Sequence, residues 1–299
     1  MVRVSSILFG IVALVLGISL LSIWFYPSVQ DFMATNSMWN GIRNFMDVFK
    51  AENIDTVDKL PVLPEKTILV TIPYLEYNDE ELSKVKRFVE DGGTLVLMDD
   101  YGYGNEVLAY LGLEARFSHQ PLLDPLFNYK NQSMPRITDF TSEAKENGVS
   151  IITLNYATVL TNVKQSEEIA WSSAASFLDS DENGARSDNE SKGPFPVAAR
   201  FHSGKGIVAI IADPSIIISS MMGQEDNYHF LEYLTSYNGE RKEILFDSSH
   251  LTKTPLDVSK TRLLGVREAM SGPYALVGIT AMIFVAVSYY TLRKGETIG

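Results

Sequence analysis

Apolar residues along the chain are grouped in three ways. At the start, Ser5 to Tyr26 is an uncharged run, SSILFGIVALVLGISLLSIWFY. As a helix it would be about 33 Å long, against a hydrocarbon core of about 30 Å. Trp24, Phe25 and Tyr26 lie where an interfacial aromatic belt belongs, and Pro27 ends the run. Near the other end, Ala269 to Leu292 is again uncharged, densest over Tyr274–Tyr290, and Arg293-Lys294 follow. Between these runs the pattern becomes short. Met38, Ile42, Phe45, Met46 and Phe49 predict an amphipathic helix within Asn36–Ala51. Thr67–Ile72 reads as a buried strand. Asn78, with Glu81 three residues on, predicts a capped helix over Asp79–Asp91 that stops at Gly92-Gly93. Thr94–Met98 is a second strand, Asn105–Leu111 a helix, and Glu114–Phe117 another strand.

The strand–helix alternation predicts an open α/β sheet with right-handed crossovers. Residues 119–147, with Pro121, Pro125 and Pro135, read as a long surface insertion. Strand-like runs resume at Ser150–Leu154 and Ala157–Leu160. Pro196–Phe201 and Gly206–Ala212 are predicted to form a hairpin, Tyr228–Tyr237 a helix and Glu243–Phe246 a last strand. The implied organisation is a tail at 1–4, a span at 5–26, a membrane-proximal helix and linker at 27–60, and the α/β domain at 61–250. A linker at 251–272, a second span at 273–292 and a tail at 293–299 complete it.

The first run exceeds the apolar core of a signal peptide and no small-x-small cleavage pattern follows, so an uncleaved anchor is expected. The second is hydrophobic all round, which favours a span over a core helix. Arg3 precedes the first span and no Lys or Arg follows it until Arg43. The positive-inside rule then places both termini in the cytoplasm and residues 27–272 outside, in a cell membrane.

Composition narrows the function. The chain has 299 residues with a formal charge of −12. Residues 27–272 hold 22 basic and 36 acidic residues, a net −14. Such a domain is a poor nucleic-acid partner. With no cysteine, the chain has no disulfide, Cys-based zinc or iron–sulfur site, or thiol nucleophile. GxxxxGK[ST], HExxH and GxSxG are absent. Gly204-Lys205-Gly206 through Ala209 gives G-x-G-x-x-A, but between two strands, where it reads as a hairpin turn.

Two constellations carry candidate chemistry. Asp179, Asp181, Asn183, Gly184 and Glu190 fit D-x-D-x-[DN]-G-x5-E, a spacing that gathers hard oxygens around calcium. The expected ligands are Asp179, Asp181, Asn183, the Ala185 carbonyl, Ser187 and Glu190. Arg186 replaces the usual aliphatic residue, and Lys192-Gly193-Pro194 does not continue as a helix, so the loop is not a paired EF-hand. The alternative is a solvated acidic loop. Second, predicted strands end at Asp99-Asp100, Asp213 and Asp247, with His250 close behind. Ligands of open α/β sheets bind beyond such strand ends, so these five residues are the candidates for a hydrolase, with or without a metal. The competing reading makes each carboxylate a cap of a helix or turn. His119, His202 and His229 lack metal-ligand spacing. Asn131-Gln-Ser and Asn189-Glu-Ser are glycosylation sequons in expected external loops.

Roughly residues 60–250 resemble a family, the domain-of-unknown-function 4350 family of archaeal and bacterial membrane proteins. The resemblance rests on EDGGTLVLMDD, Ser176-Phe177 before the acidic loop, Gly193-Pro194, Gly204-Lys205-Gly206-Ile207-Val208, Asp213-Pro214-Ser215, Asp226-Asn227 and LFDSSH. It implies a flavodoxin-like, class I glutamine-amidotransferase-like three-layer domain between the two spans, without implying a reaction. Glutaminase chemistry needs a cysteine nucleophile that this chain lacks. The leading expectation is a non-catalytic extracytoplasmic domain that binds a protein partner or ligand in envelope assembly, secretion or transport, with calcium as a structural ion.

Overall fold

The computed structural model describes residues 4–26, 28–235 and 242–271, and three isolated positions beyond. Apart from those three positions, the second predicted span, 273–292, lies outside the described residues. The chain divides into two compact units, Met1–Tyr26 with Lys253–Gly299, and Pro27–Thr252.

In the first unit, α1 (Val4–Phe25) follows the first apolar run. Its segment Ile7–Phe25 is long and apolar enough to cross a membrane, and among the described residues no other helix is. α7 (Pro255–Ser271) occupies most of the stretch expected to be a linker. The side chain of Asp257 accepts from the Thr254 amide at 3.1 Å, which caps its first turn.

The second unit is a mixed α/β structure built on eight strands. Its helices are α2 (Arg43–Phe49), α3 (Asp79–Glu90), α4 (Gly104–Tyr110), α5 (Ser142–Glu146) and α6 (Asn227–Thr235). The sheet strands are β1 (Glu52–Ile54), β2 (Thr67–Thr71), β3 (Thr94–Met98), β7 (Asp139–Phe140), β10 (Glu168–Trp171), β12 (Pro196–Ser203), β13 (Gly206–Ile211) and β14 (Glu243–Asp247), in the order β1-β14-β2-β3-β13-β12-β10-β7. The strands from β1 to β13 in this order are parallel, and β12, β10 and β7 are antiparallel. Among the described residues, three two-stranded ribbons lie outside the sheet. They are β4 (Arg116–Phe117) with β9 (Leu160–Thr161), β5 (Leu122–Leu123) with β11 (Phe177–Leu178), and β6 (Arg136–Ile137) with β8 (Ile152–Thr153).

Every residue of β2, β3 and β13 is buried, as expected of parallel strands covered on both faces. Leu69, Leu95, Leu97, Val208 and Ile210 pack with Leu82, Val85 and Phe88 of α3 and Val107 and Leu108 of α4. On the opposite face Ile68, Val70, Val96 and Ile211 pack with Phe45 of α2 and Phe230 of α6. α3 carries the expected capping box: the Asn78 side chain accepts from the Glu80 and Glu81 amides at 3.0 Å, and Glu81 accepts from the Asn78 amide at 2.9 Å. Gly204, at φ +59°, turns β12 into β13, so the G-x-G-x-x-A run is a hairpin.

Several elements differ from expectation. Only Arg43–Phe49 of the predicted Asn36–Ala51 helix is helical. The side chains of Asn36 and Asn40 instead bond to one another and to the Gln30 and Val29 carbonyls, a local competition that favours turns over helix. Residues 119–147 are not confined to the surface. Leu122, Ile137 and Phe140 are buried, and β7 forms the end of the sheet. The runs at 150–154 and 157–160 contribute only two-residue strands. The sheet also begins earlier than residue 61, because β1 pairs with β14.

Candidate functional site

Parallel pairing of β14, β2, β3 and β13 brings their carboxyl ends to one edge. All five candidates from the sequence lie there, in two groups.

The first group follows β3 and β13. Asp99 is fully buried and holds the turn into α4: its Oδ1 accepts from the amides of Asp100 (2.9 Å) and Gly102 (2.7 Å), and its Oδ2 from that of Gly104 (2.8 Å). His119 Nε2 stands 3.5 Å from Asp99 Oδ2. Asp100 Oδ1 accepts from the Tyr101 amide at 2.7 Å and from the Tyr74 hydroxyl at 3.1 Å. Asp213 is fully buried, and its two oxygens accept from the amides of Ser215 (2.7 Å) and Asn155 (2.6 Å). Burial raises Asp213 to about 7 against these hydrogen bonds, and the Asp100 charge adds to the rise. Burial, with the Asp99 charge, likewise raises Asp100 to about 6. Two carboxyls that titrate near neutrality therefore sit at the end of adjacent strands.

The second group closes β14. Asp247 Oδ2 accepts from the Tyr77 hydroxyl (2.7 Å) and the Thr71 hydroxyl (3.2 Å), and lies 2.8 Å from His250 Nδ1. His250 is buried and stacks on Tyr77 with ring centroids 3.3 Å apart, while its Nε2 stands 3.5 Å from Glu81 Oε2. Burial acts to raise the Asp247 pKa, but hydrogen bonding and charge from His250, with the Ser249 and Tyr77 hydroxyls, hold it below the usual carboxylate value. This cluster ties the end of β14 to the start of α3, since Glu81 also closes the α3 capping box. Among the described residues no side-chain hydrogen bond joins the two groups.

The acidic loop follows β11. Asp179, Asp181 and Glu190 offer oxygens within 4.8 Å of one another, and Asp179 and Glu190 are buried. Asp179 accepts from the amides of Asn183 (3.1 Å) and Gly184 (3.0 Å), the latter at φ +75°. Glu190 accepts from the amides of Ser187 (2.9 Å) and Ser180 (2.7 Å), which lower its pKa. Asn183 Nδ2 and Ser187 Oγ both reach Asp181 Oδ2, at 2.8 and 3.1 Å. Ala185 donates its amide to Asn183 Oδ1 at 2.7 Å. The donors are all oxygen, which suits a hard divalent cation such as calcium.

The loop and the 119–147 segment together form a cleft of about 560 Å³, lined by Tyr101, Leu122, Gln132, Tyr156, Glu182 and Asn183 among others. Gln132 Nε2 donates to the Gly184 carbonyl at 2.7 Å, and the Asp179 amide to the Pro121 carbonyl at 2.9 Å. Tyr156 and Glu182 both hold φ +56°, a conformation uncommon outside glycine. The Tyr101 hydroxyl is raised above its ordinary value by burial and by the charges of Asp100, Asp213 and Glu182, so the cleft opens beside the first carboxylate group. Of these residues Asp179, Asn183 and Gly184 belong to the calcium-type motif and Gln132 to a sequon. Tyr101 adjoins the Asp99-Asp100 strand end, and nothing in the sequence marks Tyr156. Asn131 and Asn189 of the two sequons are exposed.

The structure is thus that of a mixed α/β protein with a large central sheet, a cleft near the carboxyl edge of its parallel strands, and an apolar N-terminal helix. Residues 34–235 match the family described as Domain of unknown function (DUF4350), and the chain belongs to it. No functionally curated protein matches the chain. Solved structures similar to it include the mmIFT52 N-terminal domain, at 13% identity and TM-score 0.47, covering 62% of this chain and 82% of that one. A β-galactosidase from Bacillus circulans sp. alkalophilus aligns at 15% identity and TM-score 0.34, over 56% of this chain and 22% of the enzyme. A putative thua-like protein from Bacteroides uniformis aligns at 13% and 0.30, over 61% and 74%. At these TM-scores the likenesses carry no argument about fold or function.

Proposed function

We propose that Pro27–Thr252 is a non-catalytic binding module, held at a membrane by α1 and by the second apolar run. It would be an amidotransferase-like, flavodoxin-type domain lying outside the cytoplasm, with both termini inside, and would serve a membrane or envelope protein as an accessory component. One observation carries this reading. Asp99 and Asp213 commit their oxygens to main-chain amides, and Asp247 to its neighbours, while a cleft opens beside the first carboxylate group. Polar groups used this way fix loops around a site. The test is a photo-crosslinking residue in place of Tyr156 in the full chain, expressed in its membrane. A discrete adduct there, absent when the residue replaces exposed Lys164, is expected. Equal labelling at both positions would refute the reading.

The acidic loop is proposed to hold a structural calcium through Asp179, Asp181, Asn183, the Ala185 carbonyl, Ser187 and Glu190. Millimolar calcium should raise the melting temperature of the wild type and leave an Asp179→Ala/Glu190→Ala double variant unmoved, whereas equal responses would exclude the ion. A hydrolase is the second reading, favoured by the near-neutral titration of Asp100 and Asp213 beside the cleft. It requires an activity that Asp213→Asn abolishes while the fold is kept.

A further inference from the structure

We infer that the cleft between the 119–147 segment and the acidic loop takes an organic cation, an alkylammonium or guanidinium group, between the rings of Tyr101 and Tyr156. The inference rests on the binding-module reading and names the chemistry of its ligand.

Three features of the cleft converge on this class. Its volume of about 560 Å³ falls within the range that accepts a small ligand or a few residues of a peptide. Its mouth is aromatic: Tyr101 and Tyr156 are 45% and 62% exposed, large values for rings lining a concave surface. The Tyr156 ring is presented from a left-handed backbone, held by the Tyr156 amide donating to the Ser133 carbonyl at 2.8 Å. A free tyrosine face is a site for a cation, because the ring quadrupole presents negative charge there. The wall is also of one sign. Asp179 and Glu182 line the cleft, and no Lys, Arg or His is among the lining residues. A concave wall of one sign focuses potential and raises the local concentration of the opposite charge. A calcium ion in the loop would engage Asp179 but leave Glu182, which is not among its donors.

A neutral sugar or an anion fits this wall less well. The sugar would leave the carboxylates without a countercharge, and the anion would be repelled. An ammonium group satisfies both the rings and the carboxylates that line the cleft.

The experiment uses the full chain in phosphatidylcholine nanodiscs, titrated calorimetrically at fixed calcium. The probes are spermidine, an acetylated pentapeptide with two lysines, and the same peptide with norleucine in their place. Saturable binding of spermidine or the lysine peptide is expected, at least about tenfold tighter than the norleucine peptide and weakened by salt. Tyr156→Asn, which removes the ring at a backbone conformation asparagine tolerates, should weaken it about threefold. Glu182→Gln should weaken it by a similar factor. Both residues are exposed, and circular dichroism checks that the variants keep the fold. Binding of spermidine alone assigns the site to free amines, and binding of the lysine peptide to a partner's side chain. Equal affinity for the lysine and norleucine peptides, or no binding of either cation, overturns the inference. If crosslinking from position 156 still captures a partner in that case, the binding-module reading stands and only the cation falls. If crosslinking fails as well, both fall.

Discussion

Asp213 sits at a point where stability and site electrostatics can be separated. The carboxyl is fully buried, and burial carries it from 3.8 to about 7, which corresponds to about 4 kcal/mol between its fully protonated and fully ionised states. A carboxyl raised on folding keeps its proton in the folded chain over a range where the unfolded chain has released it. Stability must therefore fall as pH rises from about 4 to about 7 and level off above, with about 2.5 kcal/mol of the loss between pH 5 and pH 8. Asp100, raised to about 6, adds in the same direction. Asp247, lowered, loses its contribution only in acid, outside that range. Asp213→Asn removes the titration. It also leaves the Ser215 or Asn155 amide facing an amide donor, at a pH-independent cost of about 1–3 kcal/mol. The measurement is urea unfolding of the full chain in mild detergent, followed by circular dichroism from pH 5 to pH 8. The stability difference between variant and wild type should move by about 2–3 kcal/mol in favour of the variant across that range. The difference cancels the contribution of the four histidines. Parallel pH profiles, within about 0.5 kcal/mol, would refute the assignment of Asp213 as a buried carboxyl that strains the fold when ionised.

Two further substitutions test the scaffold. Asn78→Ala removes the side-chain acceptor for the Glu80 and Glu81 amides and should cost about 1 kcal/mol by thermal or urea unfolding. No change would mean that the capping box does not hold α3. Gly206→Ala places a methyl group 2.2 Å from the main-chain oxygens of Gly93 and Val89, where only backbone movement relieves the clash, so a loss of about 3 kcal/mol or more is expected. A variant as stable as the wild type would show that β13 does not begin that close to the end of α3.

The features legible in the sequence were those fixed by local chemistry. The α3 cap needs only Asn78 and Glu81 at helical spacing, and the helix ends at Gly92-Gly93 because Gly92 takes φ +113°. β2, β3 and β13 announce themselves as unbroken apolar runs because both their faces are covered. The missed elements depend on distant partners. β1 has only three residues, two of them exposed, and is a strand because Asn53 meets Phe246 across nearly 200 positions. β7 and β10 pair over two residues and at an irregular edge, where propensity says little. The 36–51 stretch has a helical apolar period, but Asn36 and Asn40 spend their side chains on carbonyls of the preceding turn.

The site divides along the same line. A strand-end aspartate is visible from sequence because the strand is, so Asp99, Asp100, Asp213 and Asp247 could all be placed on one edge. Which of them share an environment could not, since that depends on strand order: β2 lies between the strand that carries Asp247 and the one that precedes Asp99. The same order separates Asp247 and His250 from the other carboxylates. His250 is satisfied locally, between Asp247 and Glu81 and against Tyr77, so it braces β14 against α3. The cleft lies on the other side, where the first carboxylate group meets a segment whose prolines and polar residues marked it as a loop. Tyr156 came to that cleft through one residue in a left-handed turn, for which the sequence around it supplies no glycine or asparagine at that position. Such a conformation is retained only where its surroundings enforce it. That makes the ring at 156, more than any of the acidic residues that first drew attention, the position whose replacement most directly separates a binding surface from a folded but inert one.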